Sequence, residues 1–215
     1  MIDSYKHKGM RRRLVKILME KGIRDKAVLD AVEKVPRHYF FDNALLAHAY
    51  QDKAFPIGEG QTISQPFTVA YQTEKLVISP GDKVLEVGTG SGYQACILLE
   101  IGAKVYTIEY NKVLYHRTRK FLPTMGYQPH FFQGDGSKGL PRHAPFDKVI
   151  VTAGAPSIPA SLVQQLKPGG IMIIPVGDHK RQKMLRLTKV TDKKIKRETF
   201  EYFSFVPLLG EEGWK

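Results

Sequence analysis

The sequence predicts an α/β protein with a doubly wound, mostly parallel sheet, helices at its N-terminus and an antiparallel hairpin at its C-terminus. Helical periodicity dominates the first fifty residues, short β-rich runs alternate with helical segments between residues 83 and 176, and two strand-like runs flank a charged turn after residue 183. Apolar strands that alternate with helices are typical of a parallel sheet covered on both faces.

The first part of the chain predicts two helices and a loop. The first helix spans residues 11–21, with Leu14 and Leu18 on one side, and Gly22 ends it. Asp25 is expected to cap the second helix, which ends before Pro36. Residues 60–67 read GQTISQPF, a small and polar run between two apolar segments, which predicts a loop.

The rest of the chain predicts the sheet and its covering helices. Strands are expected at 83–87, 104–108, 130–133, 148–152 and 171–176, and helices at 93–101, 112–125 and 159–166, the last ended by a PGG turn. The runs MLRLTKV and RETFEYFSFVPL predict a hairpin around TDKKIK. We expect one domain over 1–215, with a helical part at 1–78, an α/β core at 79–178, and the hairpin and tail at 179–215.

Composition limits the classes of function. The only cysteine, Cys96, excludes an internal disulfide, and there is no Cys/His cluster with zinc spacing, so we expect no metal. The chain contains no apolar run of about 18 residues and no signal-peptide pattern, which predicts a cytoplasmic protein without a membrane partner. The net charge of +12 favours nucleic acid or acidic partners, but the basic residues are dispersed, so we expect no nucleic-acid partner. We also expect a monomer.

The first predicted strand leads into the glycine loop VLEVGTGSGYQA, and a strand followed by glycines and a helix is typical of an adenosine-binding site. The spacing is E-x-G-x-G-x-G, because the third glycine is Gly92 and position 93 is tyrosine. The carboxylate of Glu86 would repel a pyrophosphate and attract a cation, which favours S-adenosylmethionine over a dinucleotide. The predicted cofactor-binding residues of this loop are Glu86, Gly88, Thr89, Gly90, Ser91 and Gly92.

Two further acids stand at the ends of the next two strands. Glu109, followed by Tyr110, is expected to accept hydrogen bonds from ribose hydroxyls. Asp135, followed by Gly136, is expected to accept one from an adenine amino group. Each acid could instead cap the helix that follows it. Acids at three successive strand ends nevertheless indicate a cofactor site more strongly than the glycines alone.

The sequence also limits the methyl acceptor. Methylation of exocyclic base amines is commonly marked by a [D/N]-P-P-[F/Y] loop after the fourth strand, where this chain reads TAGAP. Pyrimidine C5 methylation needs a thiol nucleophile, but Cys96 falls in the helix after the glycine loop and fits a small buried hydrophobe. Methylation of ribose or of ring nitrogens stays open.

Six motifs together resemble the protein-L-isoaspartate O-methyltransferase family: GQTISQP, VLEVGTGSGYQA, VYTIE, GDG, PFDKVIVTAGAP and LVQQLKPGGIMIIPVG, in this order and spacing. The resemblance covers nearly the whole chain and implies a Rossmann-like class I methyltransferase fold. It further implies transfer of a methyl group from S-adenosylmethionine to the free α-carboxyl of L-isoaspartyl residues in damaged proteins and peptides, which starts repair through a succinimide. A methyltransferase that acts on RNA or a small molecule is the alternative.

The same resemblance implies that Ser64 is the active-site serine, with Thr62, Ile63 and Gln65 in the substrate loop. A carboxylate is ionised and nucleophilic at pH 7, so Ser64 is expected to position the acceptor without forming a covalent intermediate. The pattern alone allows another role, in which Ser64 caps a helix that opens near Pro66. Phe67 departs from relatives that carry histidine after the proline, so no role of that histidine is carried over.

Overall fold

The structure is a computed structural model that describes residues 2–215 and contains six α-helices and nine strands in that range. The helices are α1 (Tyr5–Glu20), α2 (Lys26–Lys34), α3 (Pro66–Leu76), α4 (Tyr93–Glu100), α5 (Lys112–Phe121) and α6 (Ala160–Gln164). The strands are β1 (Phe55–Gly58), β2 (Gln61–Ile63), β3 (Lys83–Val87), β4 (Lys104–Glu109), β5 (His130–Gln133), β6 (Phe146–Val151), β7 (Leu166–Gly177), β8 (Gln182–Thr191) and β9 (Lys194–Phe203).

Seven of the strands form one sheet in the order β5-β4-β3-β6-β7-β8-β9, and β1 pairs with β2 separately. The first five are mutually parallel, and β8 and β9 add antiparallel strands at one edge. The predicted fold class is therefore confirmed. The chain leaves β3 toward β4 and later returns to β6 on the other side, which creates a topological switch point at the carboxyl ends of β3 and β6.

The central strands of the sheet are buried on both faces. Val84 of β3 belongs to a hydrophobic cluster with residues of α1 to α4, whereas the adjacent Leu85 belongs to a second cluster with Leu162 of α6. Successive side chains of a strand point to opposite faces, so a strand buried on both faces is predominantly apolar, and Glu86 is the buried polar exception in β3. No helix within residues 2–215 has the length and apolar character needed to cross a bilayer.

The N-terminal helices differ from prediction in where the first one begins. Asp25 caps α2 as predicted, since its Oδ1 accepts hydrogen bonds from the N–H groups of Ala27 (2.8 Å) and Val28 (3.3 Å). The first helix begins at Tyr5, six residues before the predicted start. Its buried positions begin only at Arg11, so the preceding residues show no apolar periodicity from which a helix could be predicted.

Other segments also differ from the predictions. The run at 60–67, predicted as a loop, contains strand β2 and the first residues of α3, because Pro66 suits the first turn of a helix. The helix predicted over 112–125 ends at Phe121 and continues as a 3₁₀ turn over Leu122–Met125, because Pro123 cannot continue the α-helical hydrogen bonding. The PGG sequence, predicted as a turn, lies within β7. It makes the pairing of β7 with β6 irregular, because Phe146 pairs with Leu166 whereas Lys148 pairs with Ile171. The hairpin predicted to extend to Leu208 ends at Phe203.

Candidate active site

A cavity of about 400 Å³ lies at the switch point. Its wall combines the glycine loop after β3, the ends of β4 and β6, the segment at 59–64 and the C-terminal tail. The predicted site residues on this wall are Thr62, Ser64, Gly88, Thr89, Gly90, Ser91, Glu109, Tyr110 and Gly136. The predicted residues away from it are Ile63, Gln65, Glu86, Gly92 and Asp135.

Neighbouring side chains leave no space for a Cβ atom at two positions of the glycine loop. Gly88 has φ +98°, and a Cβ there would lie 2.5 Å from Oγ1 of Thr152. That hydroxyl donates to the carbonyls of Gly88 (2.6 Å) and Val87 (2.9 Å). Gly92 has φ +86°, and a Cβ there would lie 2.8 Å from Cγ2 of Thr118. A side chain at either glycine would therefore displace the loop that lines the cavity.

Glu109 joins the end of β4 to the glycine loop. It is 6% exposed and lies on the cavity wall. Its Oε2 accepts from the N–H of Gly90 (2.8 Å), and its Oε1 accepts from the N–H of Asn111 (2.9 Å). Asn111, and not Glu109, is the side-chain cap of α5. Since each carboxylate oxygen can accept a further hydrogen bond, Glu109 retains acceptor capacity toward the cavity.

Asp135 is the acid whose environment matches the capping alternative. Its Oδ1 accepts from the N–H (2.9 Å) and the hydroxyl (2.6 Å) of Ser137, and its Oδ2 accepts from the N–H of Glu211 (2.8 Å). Partial burial opposes ionisation, but these hydrogen bonds prevail and lower the pKa of the carboxyl. Asp135 thus ties the C-terminal tail to the short helical turn that begins at Gly136.

Glu86 differs from the expectation that its carboxylate faces a bound cation. It is completely buried, and neither oxygen has a hydrogen-bond partner among residues 2–215. Burial is the main cause that raises its pKa to about 8, and the negative charge of Glu109 adds to the rise. The physical reason for the placement is strand alternation: Val87 lines the cavity, so Glu86, like Val84, points to the opposite face, which helices α1 to α4 cover.

The hydroxyl of Ser64 does not cap helix α3. Gln65 occupies the N-cap position of α3 without a side-chain cap bond. Asp52 supplies the cap instead, because its Oδ1 accepts from the N–H of Phe67 (2.8 Å) while its Oδ2 accepts from the Gln65 amide (3.1 Å). Ile63 is buried in the core. The half-buried Ser64 therefore lies on the cavity wall without the capping duty that its sequence context allowed.

Arg37 is a site residue that the sequence did not reveal. It is completely buried, and it donates from Nη2 to the carbonyl of Ser64 (2.8 Å) and from Nε to that of Ala49 (3.0 Å). Its guanidinium lies 4.7 Å from the ring centre of Tyr93, which lines the cavity. Burial lowers its pKa to about 10, so it stays cationic at pH 7. The buried fork thus holds the Ser64 backbone in place.

A second cavity of about 410 Å³ adjoins the first. The two share Thr62, Ser64, Thr152 and Val206. The other residues on its wall include Gln65, Phe67, Arg181, Tyr202, Phe203 and Phe205. Ser64 therefore lies between a cavity bounded by the glycine loop and one bounded by aromatic side chains.

Residues 9–213 match the family model described as protein-L-isoaspartate(D-aspartate) O-methyltransferase. The chain belongs to this family. It is 62% identical to the protein-L-isoaspartate O-methyltransferase of Cytophaga hutchinsonii over 100% of this chain and 97% of the relative. The predicted resemblance and the predicted enzyme class are thereby confirmed.

Two solved structures whose names place them in the same family share the fold of this chain. A protein-L-isoaspartate O-methyltransferase, 27% identical, superposes with a TM-score of 0.83 over 94% of this chain, which spans 66% of that longer protein. A candidate enzyme of this name from Plasmodium falciparum, in complex with S-adenosyl-L-homocysteine, is 25% identical with a TM-score of 0.79, covering 93% of this chain and 98% of that one.

The C-terminal tail contributes to the site in a way that the sequence alone does not indicate. Val206, Pro207 and Leu208 line the cavity, and the N–H of Gly154 donates to the carbonyl of Val206 (2.8 Å). The tail was predicted to continue the last strand of the hairpin. Pro207 was the available signal against that, because proline lacks the N–H that a paired strand position uses.

Proposed function

We propose that this chain transfers a methyl group from S-adenosyl-L-methionine to the free α-carboxyl of L-isoaspartyl residues in damaged proteins and peptides, and that Ser64 positions the acceptor. The observation that supports this proposal most strongly is that Ser64 lies on the wall shared by two adjoining cavities. One cavity adjoins the glycine loop, and we assign the other, bounded by aromatic side chains, to the peptide substrate. Family membership supports the acceptor class, and the RNA or small-molecule alternative is not favoured.

The first cavity suits the cofactor. Its volume of about 400 Å³ lies in the range of small-molecule sites. Glu109 has acceptor capacity for ribose hydroxyls, and the related Plasmodium structure holds S-adenosyl-L-homocysteine. The proposed direct contacts are Gly88, Thr89, Gly90, Ser91, Glu109, Tyr110 and Gly136. Gly92 packs the loop against Thr118 without lining the cavity, Asp135 holds the tail through the N–H of Glu211, and Glu86 is buried away from the cavity.

When bound, the cofactor supplies an electrophilic methyl group on a sulfonium. The acceptor carboxylate is already ionised at pH 7, so the protein needs no general base and no proton moves. Ser64 donates a hydrogen bond that aligns the acceptor, while Thr62 and Gln65 shape the loop beside it. Arg37 holds the Ser64 backbone through its carbonyl (2.8 Å), and the tail at 206–209 excludes water from this side.

The product ester reacts further without the enzyme. The neighbouring backbone nitrogen attacks the ester carbonyl and displaces methanol, which gives a succinimide. Hydrolysis of the succinimide returns part of the material to a normal aspartyl linkage. The methylation step therefore initiates repair.

The deciding experiment uses two synthetic peptides that differ only in Asp or isoAsp at one position, incubated with labelled S-adenosylmethionine. We expect label on the isoaspartyl peptide and none on its aspartyl twin. Equal labelling of both, or preferential labelling of RNA, would overturn the proposal.

The remaining expectations from the sequence are also proposals. They are a single domain over 1–215, a monomer, a cytoplasmic location, and no nucleic-acid or membrane partner. The shared hydrophobic cluster of N-terminal helices and sheet supports the single domain, and sedimentation of the purified chain tests the monomer.

A further inference from the structure

The second cavity carries positive charge on its wall. The Arg181 guanidinium lies 4.6 Å from the ring centre of Tyr202, and Nζ of Lys183 lies 5.1 Å from the same centre. Both Arg181 and Tyr202 line the cavity, and Tyr202 is 52% exposed. We call Arg181, Lys183 and Tyr202 the cationic shelf. Lys183 does not line the cavity itself, but its Nζ and the Arg181 guanidinium both lie within 5.1 Å of the centre of the Tyr202 ring, which does.

No carboxylate of residues 2–215 forms an ion pair with Arg181 or Lys183 within 4.0 Å. The acids nearest in sequence are already engaged. Asp178 accepts from the backbone N–H groups of Lys180 (2.7 Å) and Arg181 (2.8 Å), and Glu201 accepts from the hydroxyl of Tyr71. The cationic shelf can therefore receive an external carboxylate.

The shelf and Ser64 border the same cavity. A sphere of about 410 Å³ is roughly 9 Å across, and an extended chain advances about 3.3–3.6 Å per residue. An acceptor residue held at Ser64 thus places side chains two or three positions away beside the shelf. Phe67 and Phe203 line the same cavity and offer apolar surface to the stem of such a side chain.

We propose that the cationic shelf selects substrates with an acidic side chain within three residues of the isoaspartyl site. The inference rests on the proposed function and adds a sequence preference to it. The shelf is solvent-exposed, so the preference is modest: about three- to fivefold in kcat/KM for Glu over Gln, the scale of an exposed ion pair. A lysine in the same place is disfavoured because like charges repel.

The test uses the full chain with labelled S-adenosylmethionine and isoaspartyl peptides that carry Glu, Gln or Lys at one position, scanned from three residues before to three after the site. The wild type should prefer Glu over Gln over Lys at one or more positions, and the preference should fade in about 1 M salt, where the screening length is about 3 Å. Arg181→Gln should reduce the Glu/Gln ratio toward one.

Arg197→Gln is the matched control. It removes the same charge from an exposed position of β9, opposite Leu187 and roughly 16 Å along the hairpin from Gln182 at about 3.3 Å per residue. This variant should keep the wild-type ratio. A melting curve of each variant confirms that both are folded.

Different failures identify different errors. Equal rates for the three isoaspartyl peptides would overturn the preference and leave the proposed function intact. A ratio that survives Arg181→Gln, or that falls equally in Arg197→Gln, would assign the effect to overall charge and overturn the shelf. If the peptides show no charge preference and short RNA competes with them, the cationic shelf binds phosphate and the proposed preference for acidic peptides is wrong. Failure to label any isoaspartyl peptide would overturn the proposed function and this inference with it.

Discussion

Replacing Glu86 with glutamine removes a buried acid while nearly keeping its volume. Glu86 is completely buried without a hydrogen-bond partner among residues 2–215, and burial is the main reason why its pKa is about 8. The native state thus holds this side chain as a neutral acid at pH 7. The unfolded chain releases the proton near the ordinary value of 4.5.

The sign of the pH effect follows from these two pKa values. A carboxyl with a raised pKa in the folded state stabilises the protein fully below 4.5, and this stabilisation is lost as the pH rises toward about 8. Within that window the slope is about 1.4 kcal/mol per pH unit. From pH 5 to 7.5 the wild type should therefore lose about 3 kcal/mol that Glu86→Gln does not lose.

The assay is thermal unfolding of both proteins without cofactor at pH 5, 6, 7 and 7.5. We expect similar midpoints at pH 5 and a variant that is roughly 6–12 °C more stable at pH 7.5, at about 2–4 °C per kcal/mol for a chain of this size. Other titrating groups occur in both proteins and cancel in the difference. Glu20→Gln, at an exposed position of α1, is the control and should show a constant difference. A constant difference for Glu86→Gln would mean that its carboxyl is hydrated or ionised in the native state.

Three other variants test the site directly. Ser64→Ala should lower turnover about 10- to 100-fold with cofactor affinity largely kept, and wild-type activity after correction for the folded fraction would remove Ser64 from the mechanism. Glu109→Ala should weaken S-adenosylmethionine binding by about 1.5–3 kcal/mol, measured by calorimetry. An unchanged Kd would mean that Glu109 has only a structural role, through its hydrogen bonds to Gly90 and Asn111. Asp52→Ala should lower the free energy of unfolding by about 1 kcal/mol through loss of the α3 cap, whereas Ser64→Ala should leave stability nearly unchanged; the reverse order would contradict the assigned cap.

The sequence by itself determined the elements whose signals are local. The bounds of β3 and β5 agree with prediction because apolar runs and their flanking residues lie within a few positions of one another. The glycine loop was equally visible, since backbone conformations such as that of Gly88, with φ +98°, require glycine. The order and spacing of the motifs were enough to indicate the family.

Only the tertiary structure decided what the acids and the serine contact. Asp135 bonds to Glu211, 76 positions away, and Arg37 bonds to Ser64 across 27 positions. Glu109 reaches Gly90, so three acids at similar strand ends have three different environments. Asp52, in a connecting segment, caps α3 and releases Ser64 from that role. A hydrogen bond depends on distance in space, and residues far apart in sequence leave no local pattern that predicts their contact.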